Sequence, residues 1–179
     1  MRKHIFLKLS LGLAVLLALT VSVCMIVSAE TLTGTTENGL EYSIDTETGT
    51  ITITGYSGTD AVLTIPSSIE DYPVTTIGTN AFAGNSTITE VILPDTITTI
   101  NVGALIGCKK LESINIPSSV TFIGRSAFKE CKMLASIDIP SSVTTIDEEA
   151  FYFCDGLTTV TLNEGLEISA IQLFHAALY

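Results

Sequence analysis

The chain has 179 residues, of which 46% are hydrophobic, and its eight basic and 19 acidic residues give a formal net charge of −11. An excess of negative charge on this scale excludes nucleic acid and anionic lipid as partners held by a general electrostatic field. A chain of this length can form a single domain with a substantial core.

The first 29 residues have the features of a targeting element. Three basic residues lie in the first eight positions, the stretch 9–27 is almost entirely apolar, and Ala29 ends a group of small residues. This arrangement predicts a secretory signal peptide over residues 1–29, cleaved after Ala29. The alternative is an uncleaved anchor, because the apolar stretch approaches the roughly 20 residues that a membrane span needs. Only this segment would then contact a membrane.

Two short regions follow the signal peptide. Residues 30–37 are polar and are predicted to be a flexible linker. Apolar and polar residues alternate over 40–44 and again over 50–54, and the segment between them, 45–49, is rich in turn-forming residues. This pattern predicts a β-hairpin, and we expect residues 38–60 to be an N-terminal cap that covers the first coil of a repeat.

A 23-residue repeat dominates the chain after residue 60. Apolar residues locked to a fixed period are typical of a solenoid, in which each coil buries its apolar edge against its neighbours. We assign residues 61–165 to the repeats, with an insertion at 70–74 in the first coil. The columns that keep the period are Phe82, Leu105, Phe128, Phe151 and Phe174; Ile88, Leu111, Leu134 and Leu157; Val91, Ile114, Ile137 and Val160; and Leu93, Ile116, Ile139 and Leu162.

Strand alternation recurs at one place in every coil and predicts a parallel β ladder. A second short strand is predicted at 120–123 and a helical turn at 126–128, on the opposite side of the coil. The predicted fold class is therefore a right-handed repeat solenoid with a parallel β ladder, short helical turns opposite it and an N-terminal β-hairpin cap. The ladder strands are placed at 61–65, 90–93, 113–116, 136–139 and 159–162.

These residues resemble the BspA-like leucine-rich repeat family, whose repeats have 23 residues. The resemblance covers nearly everything after Leu40: the hairpin cap, the entry at 65–69, the insertion at 72–74 and the Ala-Phe-x-x-Cys element. It implies a leucine-rich-repeat fold in a bacterial protein that is secreted or attached to the cell wall, and some members are adhesins that bind host matrix proteins. It does not specify a ligand, because such repeats occur on proteins with many partners.

The repeat pattern changes after Leu162. Asn163 stands where earlier coils have proline, and residues 166–171 lie out of register before Phe174 restores it. We expect residues 166–179 to be an irregular C-terminal cap or a truncated repeat.

The column of Phe82, Leu105, Phe128, Phe151 and Phe174 is called the aromatic column below. Three cysteines occupy equivalent positions in consecutive coils, each three residues after a member of this column: Cys108, Cys131 and Cys154. Small apolar thiols in a buried column explain this placement, so we expect free thiols with a structural role. A disulfide between neighbouring coils is the alternative, and it would leave one cysteine over.

Catalytic and metal sites find little support in the sequence. His175 is the one histidine after the signal peptide, so neither a Ser–His–Asp nor a Cys–His arrangement can be assembled with it. The acidic run 147–149 is interpreted as a solvated edge, and Asp45, Glu47 and Asp60 lack the spacing of a calcium loop. We expect no enzyme activity, no metal and no cofactor.

The outward positions of the predicted ladder form a candidate binding face. They align about 4.8 Å apart from coil to coil, and most carry short hydroxyl, carboxyl or amide groups that make adaptable hydrogen-bond partners. The alternative is that they are simply small solvated strand residues. The two columns are Glu90, Ser113, Ser136 and Thr159, and Ile92, Asn115, Asp138 and Thr161.

The sequence therefore predicts a secreted or cell-surface, non-catalytic protein-interaction module of the adhesin type. Its expected partner is a protein or glycan, such as a host matrix or cell-surface component, and not nucleic acid. The alternative is a structural spacer or a fragment of a truncated repeat array with no ligand of its own.

Overall fold

A computed structural model describes residues 32–162 of the chain, which form thirteen β-strands. The predicted signal peptide (1–29) and the predicted C-terminal cap (166–179) lie outside these residues. No helix long and apolar enough to cross a membrane occurs within residues 32–162. The strands are β1 (Leu32–Thr35), β2 (Leu40–Asp45), β3 (Thr50–Tyr56), β4 (Val62–Thr64), β5 (Ser68–Ile69), β6 (Tyr72–Ile77), β7 (Glu90–Ile92), β8 (Thr99–Ile100), β9 (Ser113–Ile114), β10 (Phe122–Ile123), β11 (Ser136–Ile139), β12 (Thr145–Ile146) and β13 (Thr159–Leu162).

The N-terminal cap is the predicted hairpin. Strands β2 and β3 pair antiparallel, with Leu40 opposite Tyr56 and Asp45 opposite Thr50. One carboxylate oxygen of Asp45 accepts the backbone N–H groups of Glu47 and Thr48 at 2.8 and 3.2 Å, which fixes the turn. Strand β3 then pairs in parallel with β6, so the hairpin covers the edge of a coil ladder.

The predicted flexible linker at 30–37 needs a correction. Leu32–Thr35 is strand β1, which pairs antiparallel with β2, with Leu32 opposite Ile44. The free edge of β2 provides backbone partners for this polar segment, and threonine favours strands. Gly34 allows the close approach, because a Cβ at that position would collide with the Tyr42 ring.

Each coil contributes one strand to each of two parallel ladders. The first ladder is made of β4, β7 and β9, followed by the separate pair β11 and β13, and its five strands lie at the five places predicted from the sequence. The second ladder is made of β6, β8, β10 and β12, and it includes the second strand predicted at 120–123. In the first ladder the core residue Val91 is aligned with Leu63 and Ile114. The first coil begins at β4, the second at β7, the third at β9 and the fourth at β11.

The third side of each coil is a turn, and the helical turns predicted there are not confirmed, because residues 32–162 contain no helix. The turns form a ladder of their own. In the first coil the N–H groups of Asn80, Phe82 and Gly84 donate to carbonyl groups of the second coil at 3.0, 2.8 and 2.7 Å. The intervening N–H groups of Ala81 and Ala83 donate within their own turn. The same alternation recurs at the next two coil junctions.

This alternation requires a left-handed backbone at two places in every turn. Glycine adopts that conformation without strain, whereas a residue with a Cβ is strained by roughly 1 kcal/mol or more. Glycine fills only some of the positions, so the stacking of the coils imposes the conformation on the others. The two columns, with their φ angles, are Asn80 (56°), Gly103 (62°), Ser126 (55°) and Glu149 (58°), and Gly84 (69°), Gly107 (72°), Glu130 (62°) and Phe153 (58°).

The insertion in the first coil is a small hairpin. Strands β5 and β6 pair antiparallel, with Ile69 opposite Tyr72, and are joined by Glu70 and Asp71. These two residues have φ angles of 51° and 67°, which is typical of a type I′ turn. The Tyr42 hydroxyl donates to the Glu70 carboxylate at 3.2 Å, so the insertion is anchored on the cap.

The core is a continuous apolar column along the solenoid. Phe128 and Phe151 are buried and stack with ring centroids 5.2 Å apart and planes 2° apart, which confirms that the aromatic column faces inward. At the N-terminal end the Tyr56 ring packs edge-on against Phe82, with centroids 6.5 Å apart. None of the buried residues within 32–162 is polar or charged.

Candidate binding face

The first ladder places most of the predicted binding residues in register. Glu90 lies opposite Ser113 on β7 and β9, and on β11 and β13 Ser136 and Asp138 lie opposite Thr159 and Thr161. These side chains are exposed, except that of Glu90, which is partly buried. Because their backbone is fixed by strand pairing and by the core beneath it, the outward groups form a rigid surface.

The face consists of two halves rather than one continuous sheet. Strand β9 pairs with β7, and β11 pairs with β13, but no ladder pairing joins β9 to β11 among the described residues. Strand β9 is only two residues long, whereas β11 has four. The single ladder predicted through all five strands is therefore interrupted in its middle.

Asn115, the residue after β9, has a structural role on the opposite side of β9, toward the second coil. Its carboxamide oxygen accepts the Leu93 N–H at 2.7 Å, and its carboxamide nitrogen donates to the Leu93 carbonyl at 2.9 Å. The side-chain amide thus acts as a peptide group and supplies the rung that β9 lacks beyond Ile114. Asn115 lies on the predicted face, but its amide is committed to the neighbouring coil, so the expectation that it is free to adapt to a ligand needs correction.

Strand β4 adds two outward residues at the N-terminal end of the face, and the predicted binding residues did not include them. Val62 is aligned with Glu90, and Thr64 is aligned with Ile92. Val62 and Ile92 are 50% and 40% exposed, so this end of the face has a small apolar corner. The alternation over 61–65 carried this signal, since outward residues of the first strand belong to the same two columns.

A second surface, on the turn side, carries charge pairs between the third and fourth coils. The Lys129 ammonium lies 2.8 Å from a Glu149 carboxylate oxygen, and the Arg125 guanidinium lies 3.5 Å from the other oxygen of that carboxylate. The hydrogen bond from Lys129 is the main cause that lowers the pKa of Glu149. The acidic run interpreted as a solvated edge is therefore held in part by ion pairs, which also include Glu148.

The cysteine column forms a ladder of thiol hydrogen bonds. The thiols of Cys108, Cys131 and Cys154 each donate to the carbonyl of the aromatic-column residue in the preceding coil, at 3.1, 3.3 and 3.0 Å. All three are free and buried, as predicted. Burial raises the pKa of Cys108 to about 12 and that of Cys154 to about 11, and it raises the pKa of Cys131 as well. Neutral buried thiols of this kind are poor nucleophiles.

Metal-ligating side chains do not cluster in the part of the chain that the structure describes. No cluster of three or more His, Cys, Asp or Glu side chains there could hold a metal ion. The Asp45 carboxylate is occupied by the turn of the cap, where backbone N–H groups lower its pKa. His175 lies outside the described residues.

Comparison with known proteins supports the repeat assignment. The chain is similar to a leucine-rich repeat protein from Bacteroides capillosus, with 29% identity over 73% of this chain and 98% of that one, and a TM-score of 0.66. It is similar to a leucine-rich repeat protein from T. pallidum, with 29% identity over 72% and 71% of the two chains and a TM-score of 0.63. It also resembles a leucine rich cell surface protein from Faecalibacterium prausnitzii, with 27% identity over 75% of this chain and 44% of that one, and a TM-score of 0.57.

No curated protein matches the chain at a significant level. The family model for the BspA type leucine rich repeat region matches residues 63–177 in six copies. This match covers well over half of the chain. The chain therefore belongs to the BspA-type leucine-rich repeat family.

Proposed function

We propose that the protein is a secreted or cell-surface interaction module that acts without catalysis, through the outward face of the first ladder. The observation that carries the proposal is the register of that face, where exposed groups of successive strands lie side by side on a rigid support. The resemblance to a leucine rich cell surface protein supports the surface location.

The chemistry of the face favours a ligand rich in hydroxyl and amide groups, such as a glycan or a polar protein surface. Ser113, Ser136, Thr159 and Thr161 offer hydroxyl groups that both donate and accept, and short side chains lose little entropy on binding. The apolar corner at Val62 and Ile92 suits the ring face of a sugar or an apolar side chain.

The size of the face sets the expected strength of binding. Five strands about 4.8 Å apart span roughly 20 Å, and strands of up to four residues are about 13 Å long, so the face measures roughly 260 Å². This is small compared with the surface of about 800 Å² per partner in a stable protein complex. A single copy therefore binds weakly, and useful avidity requires several copies on one surface. This favours an adhesin-like role at a surface over tight binding in solution.

Binding to a panel of host matrix proteins and glycans, with the full chain immobilised, tests the proposal. The informative variant carries Ser113→Lys and Ser136→Lys, which place long charged side chains on both halves of the face. A matched variant carries Val102→Lys and Met133→Lys at exposed positions of the turn side, and so has the same net charge. We expect saturable binding that the first variant loses and the second retains.

Two outcomes contradict the proposal. Binding that both variants retain would exclude the first ladder as the site. Absence of saturable binding to the whole panel, with unchanged circular dichroism, would favour a structural spacer.

A further inference from the structure

The backbone hydrogen bonds that join the turns of neighbouring coils, the turn ladder, all have the same direction. In each junction N–H groups of the earlier coil donate to carbonyl groups of the later coil. The carbonyls of Val102, Ala104 and Ile106 therefore point back toward the first coil, where Asn80, Phe82 and Gly84 donate to them. The carbonyl groups of every turn consequently need N–H donors from the preceding coil.

Within residues 32–162 the first turn has no such donors. The residues equivalent to Val102, Ala104 and Ile106 one period earlier are Thr79, Ala81 and Ala83. Among the described residues, the carbonyls of these three accept no hydrogen bond. They form a row of acceptors at the N-terminal end of the turn ladder.

A groove of about 310 Å³ opens over this row. It lies between the end of the cap, at Tyr56 and Gly58, and the first turn, at residues 81–87. Ala83 and Gly84 are exposed at its rim, and a Cβ at Gly84 would meet no atom within 4 Å, so the rim is open to a ligand. Two residues of the carbonyl row line the groove, Ala83, which is exposed, and Ala81, which is buried with 6% of its surface exposed.

Beside the carbonyl row itself the groove offers no matching donors, although Asn85 and Ser86 line it as well. The N–H groups of Ala81 and Ala83 already donate to the carbonyls of Gly78 and Asn80 at 3.2 and 3.1 Å. An extended peptide would bring its own carbonyls alongside its N–H groups and leave them unpaired. An ammonium or guanidinium group has only donors and therefore matches the row.

The charge of this end of the molecule favours the same ligand. Residues 32–108 contain nine acidic residues and no lysine or arginine, since the first basic residue after the signal segment is Lys109. A cleft in such a region concentrates cations.

We propose that the groove between Tyr56 and the first turn binds a cationic amine, as presented by a lysine or arginine side chain of a partner polypeptide. The Ala81 and Ala83 carbonyls accept its hydrogen bonds, and the aromatic ring of Tyr56 adds a surface for the alkyl stem or the cation. This site lies away from the outward face of the first ladder and does not depend on the function proposed for that face.

Titration of the full chain with the tripeptide Gly-Lys-Gly, followed by ¹⁵N NMR, tests the proposal. Gly-Arg-Gly serves as the second cationic probe and Gly-norleucine-Gly as the uncharged control of similar length. We expect saturable shifts of the amide resonances of Gly58, Ala83 and Gly84 with both cationic probes and none with the control. Added salt should weaken the binding, because the interaction is electrostatic.

Two variants locate the site. Ala83→Lys places an ammonium group at the rim and should weaken binding about tenfold or more, the effect of losing one charge-assisted hydrogen bond. Ile106→Lys puts the same charge one coil further along, where the carbonyl row is already paired, and should leave binding within about twofold of the parent chain. Thermal unfolding of both variants verifies that they are folded.

Three results would overturn the proposal. The first is absence of saturable shifts with both cationic tripeptides. The second is equal loss of binding in the two variants, which would indicate a general effect of net charge. The third is equal shifts with the norleucine tripeptide, which would show that the positive charge has no role.

Discussion

Replacing Asn115 by alanine removes the two hydrogen bonds, at 2.7 and 2.9 Å, that join the third coil to the Leu93 backbone. A protein hydrogen bond contributes about 0.5–1.5 kcal/mol net. Because Asn115 is exposed, water replaces part of what is lost, so we expect the lower half of that range for each bond. The free energy of unfolding should fall by about 1–2 kcal/mol, which corresponds to a decrease in Tm of roughly 2–6 °C for a chain of this size.

Urea unfolding followed by circular dichroism measures this difference. Ser113→Ala is the matched control, because it changes an exposed side chain on the same strand that makes no hydrogen bond within the described residues. The control should change stability by less than about 0.5 kcal/mol. If Asn115→Ala costs no more than the control, the amide does not replace a backbone pairing between the second and third coils in solution, and the structural role given to Asn115 is wrong.

Three further predictions concern the turns and the thiols. Asp71→Gly should stabilise the protein by about 0.5–1 kcal/mol in urea unfolding, because Asp71 has a φ of 67° in a type I′ turn; a loss of stability would contradict this account of the turn. The lowered pKa of Glu149 stabilises the fold above the ordinary Glu pKa of 4.5, and this contribution is lost as the pH falls through the folded pKa. Glu149→Gln should therefore flatten the decline in stability between about pH 5 and pH 3, and an unchanged acid limb would rule out the ion pair as its source. Iodoacetamide at about pH 8 should modify the cysteines slowly in the native protein and rapidly in urea, because burial raises the pKa of Cys108 from 9.0 to about 12; fast native labelling would refute their burial.

The solenoid could be predicted because its determinants are periodic. Residues such as Phe128 and Ile137 recur every 23 positions, and each faces the core because the residues above and below it in the stack do the same. The hairpin cap could also be predicted from the sequence, because residues of alternating polarity flank a turn in which Asp45 accepts backbone N–H groups.

Features that depend on contacts between neighbouring coils could not be predicted from the periodic pattern. The alternation over 113–116 is as regular as in the other coils, yet pairing stops after Ile114 and the Asn115 amide takes over. Nothing local distinguishes an asparagine that binds a neighbouring backbone from one that faces solvent. Strand β1 was missed for a related reason, because its pairing depends on the edge of β2 and not on its own polar residues.

The turns illustrate a third limit. Ser126 and Glu149 occupy a left-handed conformation that their side chains disfavour, so local preference suggests a helical turn. Gly103 in the same column, and Gly84 and Gly107 in the column of Glu130 and Phe153, indicated that both columns need positive φ angles. Comparing columns across coils, rather than residues within one coil, would have indicated the turn ladder.

The ion pairs between the third and fourth coils have a consequence for how the chain finds its order. Near-identical coils can stack out of sequence during folding, because any coil offers the apolar edge that any other needs. Here the cations Arg125, Lys129 and Lys132 all lie on the earlier coil, and their acidic partners, including Asp155, lie on the later one. A slip that stacked the fourth coil on the first, whose residues include no lysine or arginine, would leave these carboxylates without their cationic partners. These ion pairs therefore favour stacking of the fourth coil on the third over stacking in another order.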